Sequence, residues 1–420
     1  MGVLMRRTRI APNVAAAACA ALLLLPAAAA VPAAAATTPR TAAAAPAAAQ
    51  GRGELVSVKR LYRLATPRKV AAELRSSGFD AGAVRYGVDA YRLEYRTVDP
   101  HGRPTTASGL LALPRGREGR LRAVSFAHGT GSHKSDAPSM RRHGFLPSPS
   151  LTYASAGFAA VAPDYLGMGT SPGLHPWMDV PSETTASLDM LRAARAVVPL
   201  ERKVAVTGFS QGASAALGLA RSLQAGEDRW FRLGALAPVS GAYDFGGTEL
   251  KALLGGELEP KSSVVYAAYT LVAFNRLHDV YDSPKQVFKG NARHIEALFD
   301  GRHTGRQIMA GTPGTVKQLL TDEGMRMLER PTGEFAAALR TASSVCDGWA
   351  PRVPTRLYLA GGDQEAAVEN TAVCRAELRR RGADVPVVDV GPVDYEDSRH
   401  LGSNVAATAS IVRWLLSDPR

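Results

Sequence analysis

Lys203-Val204-Ala205-Val206-Thr207-Gly208-Phe209-Ser210-Gln211-Gly212-Ala213 is the stretch on which the reading of this chain turns. Residues 203–207 form a β-rich run of strand length, and Ala213 to Leu223 is a helix of small residues. Only the Gly208–Gly212 turn separates the two. A strand that becomes a helix so quickly holds Ser210 in a strained backbone conformation, and a glycine on either side lets the chain cross itself closely. The serine oxygen then projects from the top of a sheet. It also sits at a helix N-terminus, where developing negative charge is favoured.

The same rhythm extends in both directions. Upstream, Tyr91 to Val98 alternates like a half-buried strand, and the turn-rich Asp99–Pro104 leads to a second strand ending at Leu113. Together they predict an antiparallel hairpin at the edge of a sheet. Leu121–Phe126 and Phe158–Val161 are further strands, and Thr185–Val198 is a helix. Downstream come the strand Leu233–Val239, the strand Leu357–Ala360, a helix around Thr371–Arg381, the strand Val385–Val390 and a helix over Val405–Leu416. Strands alternating with helices imply an α/β fold with a mostly parallel central sheet and helices on both faces. Between residues 241 and 345 the rhythm gives way to helix-like segments with Gly/Pro breaks and several aromatics. An insertion after the sixth core strand of this count is read as a helical cap over the C-terminal edge of the sheet, where the sites of open α/β folds lie.

Ser210 is a poor nucleophile alone and needs a base and a group that orients the base. His400 follows the last strand and precedes the last helix, which suits the base. The orienting acid is expected between them. Asp363, on a Gly361-Gly362 turn after a strand, is the first choice, and Asp244, just past Leu233–Val239, is the alternative. Acyl transfer also needs donors for a tetrahedral oxyanion. The backbone N–H of Gln211 is one candidate and that of Thr130, in His128-Gly129-Thr130-Gly131, the other; His128 itself is read as structural.

The termini and the composition narrow the setting. Arg6, Arg7 and Arg9, the apolar stretch Val14–Pro26 and the small residues up to Ala36 have the pattern of a signal peptide over 1–36. An Ala/Pro-rich linker spans 37–52, and 53–420 is the globular domain. The formal charge of +12 falls to +9 once those three arginines leave. The basic residues are spread along the chain in no nucleic-acid-binding pattern, so no nucleic-acid partner is expected. Loss of Cys19 leaves Cys346 and Cys374, which in an exported chain point to one disulfide, with two buried thiols as the alternative. The sequence carries no metal-ligand cluster, phosphate loop or dinucleotide fingerprint, and no cofactor is expected.

At these residues the chain resembles the α/β-hydrolase superfamily, and more narrowly the secreted bacterial lipases and esterases of the secretory lipase family. The resemblance rests on His128–Gly131, on Pro163-Asp164-Tyr165-Leu166-Gly167-Met168-Gly169 with Gly173-Leu174-His175-Pro176, on Gly208–Gly212, on Gly362-Asp363 and on His400. It implies a Ser210–Asp363–His400 triad acting through an acyl-enzyme on a small-molecule or lipid ester, as an exported monomer with transient contact to lipid interfaces. It also makes Tyr165 and His175 candidates for substrate contact at the mouth of the site. The family's acid turn often continues with Val-Pro, and Asp363-Gln-Glu-Ala-Ala-Val departs from that. A proline-type peptidase on the same fold is the rival enzyme, and a binding protein that kept the fold is the rival of another kind.

Overall fold

The central feature of the structure, a computed structural model describing residues 51–418, is a nine-stranded sheet. The leader expected over 1–36 and nearly all of the linker lie outside the described residues. In chain order the strands are β1 (Leu55–Leu64), β2 (Val88–Val98), β3 (Pro104–Pro114), β4 (Leu121–Ala127), β5 (Ala159–Pro163), β6 (Leu200–Phe209), β7 (Arg232–Val239), β8 (Leu357–Leu359) and β9 (Val387–Asp389). They lie side by side as β1-β2-β3-β5-β4-β6-β7-β8-β9. The first three pairings, β1/β2, β2/β3 and β3/β5, are antiparallel, and every pairing from β5 to β9 is parallel.

The parallel strands read as apolar runs because both faces are covered. On one face Leu121, Ala123, Val204, Val206, Leu233 and Leu236 pack under the helices Val180–Val197 and Gln211–Ala225. On the other, Val124, Phe126, Ala235, Ala237 and Val239 pack against Ser148–Ser155 and Arg399–Leu416. The alternation is the period-two pleat, interrupted in β7 by a register shift between Leu233 and Ala235 that puts Leu233 and Leu236 on the same face. Gly109 of β3 illustrates how tight this is: a Cβ there would lie 2.2 Å from Met190 Sδ.

Two readings of the hairpin are corrected. It does not form the sheet edge, because β1 pairs outside it; the insertion therefore follows the seventh strand in chain order, not the sixth. β1 lacks a clean alternation: Val56 and Val58 are exposed and a Lys59-Arg60 pair interrupts it. The stretch between β7 and β8 is helical, with Pro260–His278 its longest element, and has an apolar core of its own around Leu271, Phe274, Phe288 and Leu339. It leans on the loops at the C-terminal ends of the strands. Tyr269 donates to the Gly131 carbonyl at 3.3 Å, and the Lys134 N–H to that of Gly301 at 2.9 Å.

Cys346 and Cys374 form a disulfide with their Cα atoms 5.3 Å apart. It ties the end of the inserted segment to the helix Glu369–Arg380 and closes a loop of 28 residues that contains Asp363. Closing a loop of that size removes about 3–4 kcal/mol of unfolded-state entropy in the chain-entropy picture.

Candidate active site

The turn after β6 is as sharp as its glycines imply. Ser210 has φ 57° and ψ −123°, a region that costs a non-glycine residue on the order of 1–3 kcal/mol. Its neighbours hold it there: the Ser210 N–H donates to Val239 O at 2.9 Å, and Ala213 N–H to Ser210 O at 2.9 Å. The flanking glycines are where the chain crosses. A Cβ on Gly208 would sit 2.0 Å from the Gly212 carbonyl oxygen, and one on Gly212 would sit 2.1 Å from that of Ala127 in β4.

His400 is the second residue of the helix Arg399–Leu416, whose cap Ser398 accepts from the Leu401 N–H at 3.0 Å. The imidazole Nε2 lies 2.8 Å from Ser210 Oγ, and Nδ1 lies 2.7 Å from Asp363 Oδ2. Asp363 leaves β8 through Gly362, whose φ of 78° suits glycine. Its other oxygen accepts the N–H groups of Glu365 and Ala366 at 2.9 and 3.1 Å. Asp363 and His400 are both buried. The structure thus brings Ser210, His400 and Asp363 into one hydrogen-bonded row. Asp244, the alternative acid, is elsewhere engaged: its carboxylate takes the Thr248 hydroxyl at 2.7 Å and the Gly247 N–H at 3.2 Å.

The electrostatics of this row are those of a charge-matched pair. Burial disfavours the His400 imidazolium, but the Asp363 carboxylate, by charge and hydrogen bond, outweighs it, with Glu365 and Glu249 adding to the field. The His400 pKa therefore lies above its ordinary value. Burial likewise pushes the Asp363 carboxyl up, and the His400 imidazole with the hydrogen bonds it receives brings it below the usual carboxylate range. A carboxylate at Nδ1 holds the imidazole in the tautomer whose Nε2 accepts, so a proton on Ser210 Oγ has somewhere to go.

His128-Gly129-Thr130-Gly131 lies directly against the serine, for a Cβ on Gly129 would come within 3.3 Å of Ser210 Cβ. Thr130 Oγ1 accepts from Trp177 Nε1 at 3.0 Å. Neither the Thr130 nor the Gln211 backbone N–H has an acceptor among the described residues, and the latter is the first N–H of its helix. His128 is buried, its Nδ1 2.7 Å from Gly129 O and its Nε2 3.5 Å from the backbone carbonyl of Asp164. The Asp164 carboxylate is occupied by Ser108 and Ser139. These two buried groups do not form a second acid–imidazole pair.

Tyr165 and His175 need correcting as substrate contacts. Tyr165 is 1% exposed with its hydroxyl donating to His128 O at 2.9 Å, and both ring nitrogens of His175 are engaged, by Leu166 O at 3.0 Å and Gln211 Nε2 at 2.8 Å. Neither offers a free polar atom to a ligand. Residues not singled out in the sequence support the site instead. Buried Glu249 accepts from Ala367 N–H at 2.9 Å and Asn370 Nδ2 at 2.7 Å, behind the Asp363 turn. Burial pushes its carboxyl up to about 7. Trp177, just before the helix Val180–Val197, stacks with Tyr266 and Tyr269 of the insertion at interplanar angles of 8–9°, beside the Thr130 loop. The inserted aromatics are visible in the sequence as a cluster, but no local signal marks Glu249, Asn370 or Trp177, because each acts on a segment far away in the chain.

Comparison with known proteins fits this geometry. The profile of the Alpha/beta hydrolase family matches residues 126–409. Among solved structures, the rice cell wall degrading esterase LipA from Xanthomonas oryzae is 27% identical, with a TM-score of 0.77 over 88% of this chain and 100% of its own. Candida antarctica lipase A is 16% identical, with a TM-score of 0.60 over 80% of this chain and 76% of its own, a likeness of fold. No curated protein sequence matches.

Proposed function

This chain belongs to the alpha/beta hydrolase family, and from that premise we propose that it is an exported serine hydrolase of carboxylic esters. The observation that carries the reading is the row Ser210 Oγ–His400 Nε2–Asp363 Oδ2, spaced at 2.8 Å and, through the ring, 2.7 Å. The similarity to an esterase at 27% identity over its whole length supports it further. In the proposed reaction Ser210 Oγ attacks the ester carbonyl while its proton passes to His400 Nε2. Thr130 and Gln211 N–H groups receive the oxyanion. His400 then protonates the leaving alcohol, the C–O bond breaks and the acyl group stays on Ser210. Water adds to the acyl-enzyme with His400 again as base, releasing the carboxylic acid and restoring the serine. Asp363 remains ionised and stabilises the imidazolium in both halves. The natural substrate is then a small-molecule or lipid ester met outside the cell, by a monomer that touches lipid interfaces only transiently.

The test is turnover of p-nitrophenyl esters of graded chain length by the mature protein and by Ser210→Ala, with a proline anilide alongside. Ester turnover that falls by roughly 10⁴-fold or more in the variant is expected from loss of the nucleophile. Anilide cleavage without ester cleavage would establish the peptidase, and silence on both the binding protein.

The charge balance at His400 predicts the pH profile. The base must be neutral, and a raised pKa keeps it protonated to higher pH. The acid limb of kcat/KM is therefore expected above the ordinary imidazole value of about 6.5. Asp363, Glu365 and Glu249 are the carboxyl groups that hold it there. Rates measured across the neutral range check this; a midpoint clearly below that value would mean that burial outweighs the carboxylates at His400.

A further inference from the structure

An oxyanion hole built from Thr130 and Gln211 draws its two donors from different elements, the loop after β4 and the first residue after the β6 turn. Neither element by itself sets the distance between them, yet donors must lie within a few tenths of an ångström of their ideal place. A third segment, running from the end of β5 to Pro176, is bonded to both. At one end the Tyr165 hydroxyl donates to His128 O at 2.9 Å, at the root of the Thr130 loop. At the other, His175 meets the Gln211 side chain at 2.8 Å. The two rings stack on each other, 5.6 Å apart at 9°.

The hydrogen-bond directions from Leu166 to Gln211 follow from the His175 tautomer. The Leu166 carbonyl can only accept, so His175 Nδ1 carries the proton and Nε2 is the acceptor. The Gln211 amide must therefore turn its NH₂ toward His175, and the same nitrogen lies 2.6 Å from Glu183 Oε1. Both amide hydrogens are used, and a flipped amide would set its oxygen against the His175 Nε2 lone pair. It is this contact that fixes the amide, because burial pushes the Glu183 carboxyl up to about 8, where it can donate as well as accept. All four side chains are buried. Burial also brings the His175 pKa down to about 4, which keeps this direction fixed at working pH. Tyr165 holds its place at a φ of 69°, an uncommon conformation for a non-glycine residue.

We propose that Tyr165, His175 and Glu183 form a brace that fixes the Thr130 and Gln211 N–H donors relative to each other, so that the Gln211 side chain positions its own backbone. These are positioning residues, and the inference rests on the acyl-transfer reading above. The experiment compares Tyr165→Phe, Gln211→Met, Glu183→Leu and Glu183→Gln with wild type and Ser210→Ala. It measures kcat and KM on p-nitrophenyl butyrate, the Kd of an alkyl boronic acid that forms a tetrahedral adduct, and the thermal midpoint.

The first three variants are expected to lose on the order of 10- to 100-fold in kcat with KM little changed. Boronate affinity is expected to fall by a similar factor. Glu183→Gln, which keeps an acceptor oxygen, is expected to stay near wild type. Wild-type kcat in Tyr165→Phe and Gln211→Met would overturn the brace. So would lower kcat with unchanged boronate affinity, or a loss that follows only the thermal midpoint. If Ser210→Ala keeps its turnover, the acyl-transfer reading fails and the brace with it; if Ser210→Ala is silent while the brace variants are fully active, the brace alone fails.

Discussion

Replacing Asp363 by Asn is expected to lower kcat for ester hydrolysis by about four orders of magnitude while leaving the fold intact. The structure gives the reason atom by atom. Asp363 Oδ1 accepts two backbone N–H groups, from Glu365 and Ala366, and Oδ2 faces His400 Nδ1. An asparagine keeps the turn by aiming its carbonyl oxygen at those two donors. Its NH₂ then faces Nδ1, which must become an acceptor, and the ring proton moves to Nε2. A protonated Nε2 cannot take the Ser210 hydroxyl proton. The size of the effect separates the two acids of the sequence reading, because Asp244→Asn disturbs only the bonds to Gly247 and Thr248 and is expected to stay within a few-fold of wild type. The measurement is kcat for both variants on one ester, with circular dichroism to establish folding. An Asp363→Asn enzyme within tenfold of wild type would remove Asp363 from the mechanism.

Gly212→Ala is expected to be strongly destabilising. Its Cβ would stand 2.1 Å from Ala127 O and 2.5 Å from His128 O, both backbone atoms of the neighbouring strand end. No side-chain rotation relieves a contact with backbone, so the helix Gln211–Ala225 must move off β4 or the turn must open. Overpacking at so rigid a place is expected to cost about 3 kcal/mol, and the movement carries Ser210 away from His400 as well. Gly226→Ala is the comparison: that site is open and its φ is 81°, so only the backbone penalty applies, about 1 kcal/mol. Thermal or urea unfolding of the two variants distinguishes them. A Gly212→Ala protein as stable as Gly226→Ala would mean that the crossing of β6 and its helix is looser than these distances imply.

Most of the sheet was legible because its strands are short apolar runs set between helices, a pattern that burial on both faces imposes. β1 was not, since its exposed Val56 and Val58 and the Lys59-Arg60 pair leave no run of apolar residues and no clean alternation to read. The site divides along the same line. Ser210 was legible because the strain of its turn has a local signature, and His400 because its order after the last strand narrowed the choice. Glu249 and Asn370 were illegible: they meet across 121 residues, and nothing in either neighbourhood refers to the other. Tyr165 and His175 were seen as important but pointed the wrong way. Their motif places a loop at the mouth of the site, and only packing decides whether a ring on that loop faces a ligand or the protein.

What the sequence by itself determined is therefore the order of strands and helices, the strained serine turn and the set of groups available to it. Those features depend on residues that are neighbours in the chain, where periodicity, glycine and turn chemistry act directly. The tertiary structure alone decided that Asp363 rather than Asp244 reaches His400, that β1 pairs outside the hairpin, and that Tyr165 and His175 turn inward. Each is a matter of distance between segments remote in sequence, set by how the sheet, its helices and the inserted segment pack.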